Sequence, residues 1–178
     1  MILNHINRMM NKDRTADFLD VIESNKGILY KVANSYCQNF EDRKDLIQEI
    51  VLQLWKSFDN YNEKFKYSTW MYRISLNVAI SFYRKENSRK RISNSLTMAI
   101  FDLTDTAIYE EKETNLGILN QLISRLNDLD KALMLLYLEE KNYKEISEII
   151  GITETNVATK IGRIKSKLKI EFDQLKNQ

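Results

Sequence analysis

The chain has 178 residues and a net charge of +2, with no proline, four glycines, one cysteine and one histidine. Because Cys37 is the only cysteine, an internal disulfide is excluded. Because His5 is the only histidine and lies in a polar N-terminal tail, cysteine and histidine cannot supply a zinc site or a catalytic pair. Because helix breakers are scarce, the composition predicts an all-α protein of two small helical domains. No apolar run reaches membrane-spanning length and no signal peptide opens the chain, so we expect a cytoplasmic protein without membrane insertion.

Helical patterning divides the chain into three parts. It runs from about residue 13 to residue 90, after a polar N-terminal tail, and returns in helices near 116–126, 128–140, 143–150 and 154–175. The stretch between them is rich in Ser, Asn, Thr, Asp and Glu and has a net negative charge. The sequence therefore predicts one domain at 1–90, an acidic linker at 91–115, and a second domain at 116–178.

Residues 42–58 predict a helix with one broad apolar face and one polar face. Leu52 breaks this pattern, because it lies in the middle of the polar face beside Asp45, Gln48 and Glu49. An apolar centre with a charged rim is typical of a protein docking patch. The alternative is a lone exposed leucine, which is common on protein surfaces.

The following loop is polar but rich in aromatic residues, and it leads into a helix with a single polar stripe. Arginine side chains bind phosphates, asparagine reads base edges, and exposed aromatic rings stack on unpaired bases, so this surface predicts single-strand binding. For Tyr72 a place in the core is the better interpretation, and for Trp70 the two interpretations are balanced. The stripe comprises Trp70, Arg73, Asn77, Ser81 and Arg84.

Residues 142–169 predict a helix-turn-helix. Asn142 can cap the first helix with Glu145 reaching back, Gly151 ends it, and Thr153 can cap the second. The second helix combines a polar, basic surface, typical of a helix in the DNA major groove, with an apolar stripe. An ordinary antiparallel helix pair with a solvated basic face is the alternative. The stripe consists of Val157, Ile161, Ile164 and Leu168.

These segments together resemble a known family. DRKDLIQEIVLQLWKSFDNYNEKFKYSTWMYRISLNVAISFYRK resembles the second region of bacterial sigma factors, and LNDLDKALMLLYLEEKNYKEISEIIGITETNVATKIGRIKSKLK resembles their fourth region. Two such regions with a short acidic linker are similar to the extracytoplasmic-function (ECF) subgroup. The chain departs from the family pattern in two places. Near the start of the fourth region, Leu126, Asn127 and Asp128 stand where family members usually have a proline, and Gly162 lies inside the last helix.

The resemblance implies three sets of site residues. The polymerase core would be bound by Asp45, Gln48, Glu49 and Leu52. The minus-ten promoter element would be recognised and melted by Phe65, Trp70, Arg73, Asn77, Arg84 and Lys85, with loop residues 60–68 forming a pocket for an extruded base. The minus-thirty-five element would be read by Thr155, Asn156, Thr159, Lys160 and Arg163.

The sequence thus predicts a sigma factor that binds core RNA polymerase, directs it to promoters and promotes DNA opening. We expect no cofactor, no metal and no catalytic centre, a monomeric free protein, and an anti-sigma factor as a further partner. One alternative is a stand-alone dimeric helix-turn-helix regulator, which would require a palindromic operator. Another is a helical adaptor that binds only proteins.

Overall fold

The computed structural model describes residues 2–37, 39–97 and 115–176. Within these ranges all regular secondary structure is helical, so the predicted all-α fold class is confirmed. The elements are α1 (Ile2–Tyr36), α2 (Phe40–Ser57), a short 3-10 helix (Phe58–Asn60), α3 (Tyr67–Thr97), α4 (Asn115–Ser124), α5 (Asp128–Leu138), α6 (Tyr143–Ile150) and α7 (Glu154–Lys176).

The chain divides into two compact units, Met1–Ala79 and Ile80–Gln178. In the first unit α1 packs against α2. The packed face of α2 carries Leu46, Ile50 and Leu54, each fully buried. Cys37, which directly follows α1, is also buried. Asn39 fixes the start of α2, because its side chain accepts a hydrogen bond from the Asp42 backbone N–H at 2.7 Å.

In the second unit α4, α5 and α6 each pack against α7. The predicted apolar stripe of α7 is confirmed as the buried face of that helix. A side-chain cap also starts α5, since Asn127 accepts from the Asp130 backbone N–H at 2.9 Å. Asn127 thus supplies the N-terminal cap of α5.

Two helix boundaries differ from the prediction. The segment taken as a polar N-terminal tail is helical from Ile2 onward, and α3 continues to Thr97, so residues 91–97 of the predicted linker are helical. Both extensions lack glycine and proline, so neither contains a residue that would stop an established helix. Residues 98–114 of the predicted linker lie outside the described residues.

Candidate nucleic-acid interface

The outward face of α2 presents the predicted docking patch. Asp45 and Gln48 are exposed, Leu52 is 44% exposed, and Glu49 is half-buried. Glu49 also accepts a hydrogen bond from the Gln53 side-chain amide at 3.0 Å, which orders its carboxylate along the helix. Because the opposite face is locked in the core, the rotation of α2 is fixed and Leu52 remains at the surface beside acidic and amide groups.

The loop between the 3-10 helix and α3 is a folded turn. The Lys64 backbone N–H donates to the Asn62 side chain and the Phe65 N–H donates to the Asn62 carbonyl, both at 3.0 Å. The Tyr61 hydroxyl donates to the Phe65 carbonyl oxygen and ties the start of the loop to its middle. Desolvation, followed by the nearby Tyr67 and Glu63, raises the pKa of the Tyr61 phenol above its ordinary value, so this donor keeps its proton.

Aromatic rings join this loop to the beginning of α3. Tyr61 and Tyr67 stack with centroids 4.1 Å apart and an interplanar angle of 15°. Trp70 meets the edges of both rings, at 5.5 and 6.4 Å, and lies 6.2 Å from Phe58. Trp70 is half-buried, so one part of the indole packs within the protein while another remains accessible.

The polar stripe of α3 lies at the surface. Arg73, Asn77, Arg84 and Lys85 are exposed, while Tyr72 is buried as expected. The Arg73 guanidinium lies 5.9 Å from the Phe65 ring centroid, so two predicted minus-ten residues meet in a cation–π contact. Arg84 donates to the Asp128 carboxylate at 2.8 Å, and a phosphate contact by Arg84 would have to replace this ion pair.

The helix-turn-helix has the geometry that its sequence predicts. Asn142 and Glu145 form a complete capping box, and Gly151 ends α6 in the left-handed conformation at φ 82°. The Asn156 backbone N–H donates to the Thr153 hydroxyl at 3.3 Å at the start of α7. The predicted reading residues lie away from the buried stripe, with Lys160 half-buried and the others exposed: Thr155, Asn156, Thr159 and Arg163.

Sequence reasoning missed two contacts because each joins residues distant along the chain. Lys165, counted only as a basic surface residue, donates to the Tyr137 hydroxyl at 3.0 Å, and this hydrogen bond raises the pKa of the lysine. Arg14 of α1 pairs with Asp59 at 2.6 Å, directly before the loop at 60–68 that is predicted to receive an extruded base. No periodic pattern signals either contact.

The described residues contain neither a cluster of metal-binding side chains nor a helix that could span a membrane. In the described part of the chain, no three His, Cys, Asp or Glu side chains are grouped closely enough to hold a metal ion. Among residues 2–37, 39–97 and 115–176, no helix is both long enough and apolar enough to span a membrane.

Comparison with known families gives two matches in the predicted order. Residues 21–89 match the family model for sigma-70 region 2, and residues 116–168 match the model for sigma-70 region 4. Together these matches cover more than half of the chain. The presence of region 2 does not favour the stand-alone dimeric regulator, whose DNA binding would need only the helix-turn-helix.

Similar proteins span nearly the whole chain. The ECF RNA polymerase sigma factor SigW of Bacillus subtilis is 27% identical, over 98% of both chains. SigM of the same organism is 27% identical, over 82% of this chain and 89% of the relative.

Two solved structures share the fold. RpoE, in complex with the anti-sigma factor NepR from Bartonella quintana, gives a TM-score of 0.62 at 16% identity over 91% of this chain and 98% of that chain. CnrH, in complex with the cytosolic domain of CnrY, gives 0.65 at 17% identity over 90% of both chains. On the two family matches and the curated relatives, the chain belongs to the sigma-70 family and to its extracytoplasmic-function group.

Proposed function

We propose that three surfaces of this sigma factor divide its work in transcription initiation. Sigma factors are initiation factors and not enzymes, so the chain acts by binding rather than by catalysis. The proposed domains are residues 1–90 for the core and minus-ten contacts, 91–115 as a linker, and 116–178 for the minus-thirty-five contact. The observation that carries the proposal is that both family regions occur in one chain, with most predicted site residues exposed.

The core-binding surface is the outward face of α2. Asp45, Gln48 and Glu49 surround the exposed Leu52, which supplies the apolar centre of the patch. Burial of one leucine removes apolar area from water, while the polar groups around it set orientation and specificity. The patch lies on a regular helix whose inner face is fully buried, which supports a pre-organised docking site.

The minus-ten surface is the aromatic loop together with the stripe of α3. Arg73, Arg84 and Lys85 contact phosphates, and Asn77 contacts a base. Phe65, Trp70 and the folded loop at 60–68 receive a base that has left the duplex. Unstacking a base costs a few kcal/mol, and stacking on aromatic side chains returns about 1–3 kcal/mol per base, so this exchange alone is too small for the free protein to open DNA.

The minus-thirty-five surface is the outward face of α7. Thr155, Asn156, Thr159, Lys160 and Arg163 contact base edges and phosphates in the major groove, as the second helix of a helix-turn-helix does. Glu154 is the only acidic residue on α7 before Glu171, so the intervening surface favours an anionic partner.

The proposed partners are core RNA polymerase and promoter DNA, first as a duplex and then as a melted strand. An anti-sigma factor is a further proposed partner, since solved structures of two similar proteins are complexes with the anti-sigma factor NepR and with the cytosolic domain of CnrY. We place the protein in the cytoplasm and expect it to be a monomer when free.

Transcription in vitro with bare core polymerase and a library of genomic fragments tests the function. We expect specific transcripts only when the chain is added, and weak, salt-sensitive DNA binding by the chain alone. Arg163→Ala should lower transcription from the selected promoters, whereas a protein-only adaptor would be unaffected. Tight binding of duplex promoter DNA by the isolated chain, or failure to bind core polymerase at low salt, would overturn the proposal.

A further inference from the structure

Arg14 makes three different contacts with one short segment of the first unit. Its Nε donates to the Asp59 carboxylate at 2.6 Å, and its terminal nitrogen donates to the Trp55 carbonyl oxygen at 3.2 Å. Its guanidinium carbon also lies 3.9 Å from the centroid of the Trp55 ring. One planar group therefore fixes the end of α2 and the 3-10 helix at the same time.

The position of Asp59 gives these contacts their significance. Asp59 belongs to the 3-10 helix and is followed directly by the loop at 60–68. An exposed ion pair alone contributes little to stability, and Asp59 is 65% exposed. The three contacts together constrain the position of Asp59 more than the ion pair alone would. The Arg14 side chain is only 28% exposed, and it is held at the same time by the Trp55 ring and by the Trp55 carbonyl oxygen.

A continuous series of ring contacts extends from α1 to the loop. Phe18, one turn after Arg14, meets the Trp55 ring at 5.0 Å and the Phe58 ring at 5.3 Å, both edge-on. Phe58 contacts Trp70, and Trp70 contacts the stacked pair of Tyr61 and Tyr67. Arg14 and Phe18 thus both connect α1 to the residues that directly precede the loop.

We propose that Arg14 is a positioning residue for minus-ten strand capture: through Asp59 and Trp55 it sets the orientation in which the loop at 60–68 meets an unpaired base. This inference rests on the proposed minus-ten role of the loop. Arg14 itself touches neither DNA nor polymerase in this role. Its effect is to hold the loop in one conformation before the strand arrives, which lowers the ordering cost of binding.

The test uses holoenzyme assembled from core polymerase and the full chain, on a promoter selected by the transcription experiment. Three quantities are measured: affinity for core, affinity for a duplex that contains only the minus-thirty-five element, and affinity for a single-stranded minus-ten oligonucleotide. We expect Arg14→Ala to weaken oligonucleotide binding about tenfold and to leave the other two affinities within about twofold. Permanganate reactivity of promoter thymines should fall in parallel.

Two further variants separate positioning from folding. Arg14→Lys keeps the charge but loses the planar fork and the ring stack, so it should show an intermediate loss. Asp59→Asn removes only the ion pair and should show a smaller loss of oligonucleotide affinity than either Arg14 variant. Lys26→Ala is the matched control, because Lys26 forms an exposed ion pair with Glu23 on the same helix and should change nothing.

Unchanged oligonucleotide binding in Arg14→Ala would overturn the inference, and so would equal losses of core and oligonucleotide affinity in Arg14→Lys, since these indicate a purely structural role. The proposed function fails separately. If wild-type holoenzyme does not bind the minus-ten oligonucleotide at all, the loop has no such role and the error lies in the function, not in Arg14.

Discussion

The loop at 60–68 in the first unit and the helix-turn-helix in the second are organised in different ways. In the helix-turn-helix, Asn142 and Glu145 interact across three residues, as do Thr153 and Asn156. At the loop, the Arg14–Asp59 contact joins residues 45 positions apart, and the other contacts are made by five aromatic rings from α1, the 3-10 helix, the loop and α3. A surface built from local contacts can be predicted from sequence, whereas one built across the fold requires the structure.

The largest expected effect concerns the helix-turn-helix, which is built from local contacts. Ile161→Ala should lower the free energy of unfolding by about 2–5 kcal/mol, because Ile161 is fully buried in the α7 stripe and its loss leaves a cavity. Denaturant unfolding measures the change. Ile170→Ala on the same helix is the control, since Ile170 is 60% exposed and its truncation should stay within about 0.5 kcal/mol. Equal effects of the two changes would mean that the buried face of α7 is assigned incorrectly.

A second prediction concerns the surface of α2, which also follows from local periodicity. Leu52→Asp should weaken core polymerase binding by about 2 kcal/mol or more, because a charge replaces the apolar centre of the proposed patch. Titration of fluorescent core polymerase measures this affinity. Leu19→Asp is the matched control, as Leu19 is a leucine on α1 outside the patch and is more exposed than Leu52, at 57% against 44%. If both variants bind core like the wild type, the patch lies elsewhere.

The third prediction isolates a single cap. Asn142→Ala should destabilise the protein by about 1 kcal/mol, since the hydrogen bond from the Glu145 backbone N–H to the Asn142 side chain is lost at the start of α6. Thermal and denaturant unfolding give the value. Lys144→Ala, an exposed substitution in the first turn of the same helix, should have almost no effect because alanine is a good helix former, and a comparable loss there would show that the cap is not the cause.

The smallest expected effect belongs to the loop and depends on pH. Tyr61→Phe keeps the ring stack but removes the hydrogen bond to the Phe65 carbonyl, so it should cost about 0.5–1.5 kcal/mol at neutral pH. Because the folded state raises the pKa of Tyr61 above its ordinary 10.0, the unfolded chain releases the proton first. The stabilisation is therefore complete below pH 10.0 and is lost as pH rises through the folded-state pKa.

The difference in unfolding free energy between wild type and Tyr61→Phe, followed from neutral to alkaline pH, checks this sign and removes the contribution of the other tyrosines. A difference that grows with rising pH would contradict the direction of the shift. Tyr30→Phe provides a control at an exposed tyrosine of α1.

The sequence by itself determined the all-α class, the order of the two regions, the helix caps at Asn142 and Thr153, and the buried stripe of α7. These features depend on spacings of three or four residues, which hydrophobic burial and backbone hydrogen bonding translate directly into helix geometry. The helix ends at Ile2 and Thr97 were not predicted, although neither extension contains a glycine or proline that would stop the helix.

Only the tertiary structure decided how the loop at 60–68 is held in place. The balance between a core and a surface role for Trp70 could not be resolved from periodicity, and the structure gives the indole both, with packed edges and an accessible part. The Arg14 contacts with Trp55 and Asp59 likewise carry no sequence signature. Contacts between residues far apart in the chain form only when α1, α2 and the 3-10 helix pack together, and no local pattern encodes that meeting.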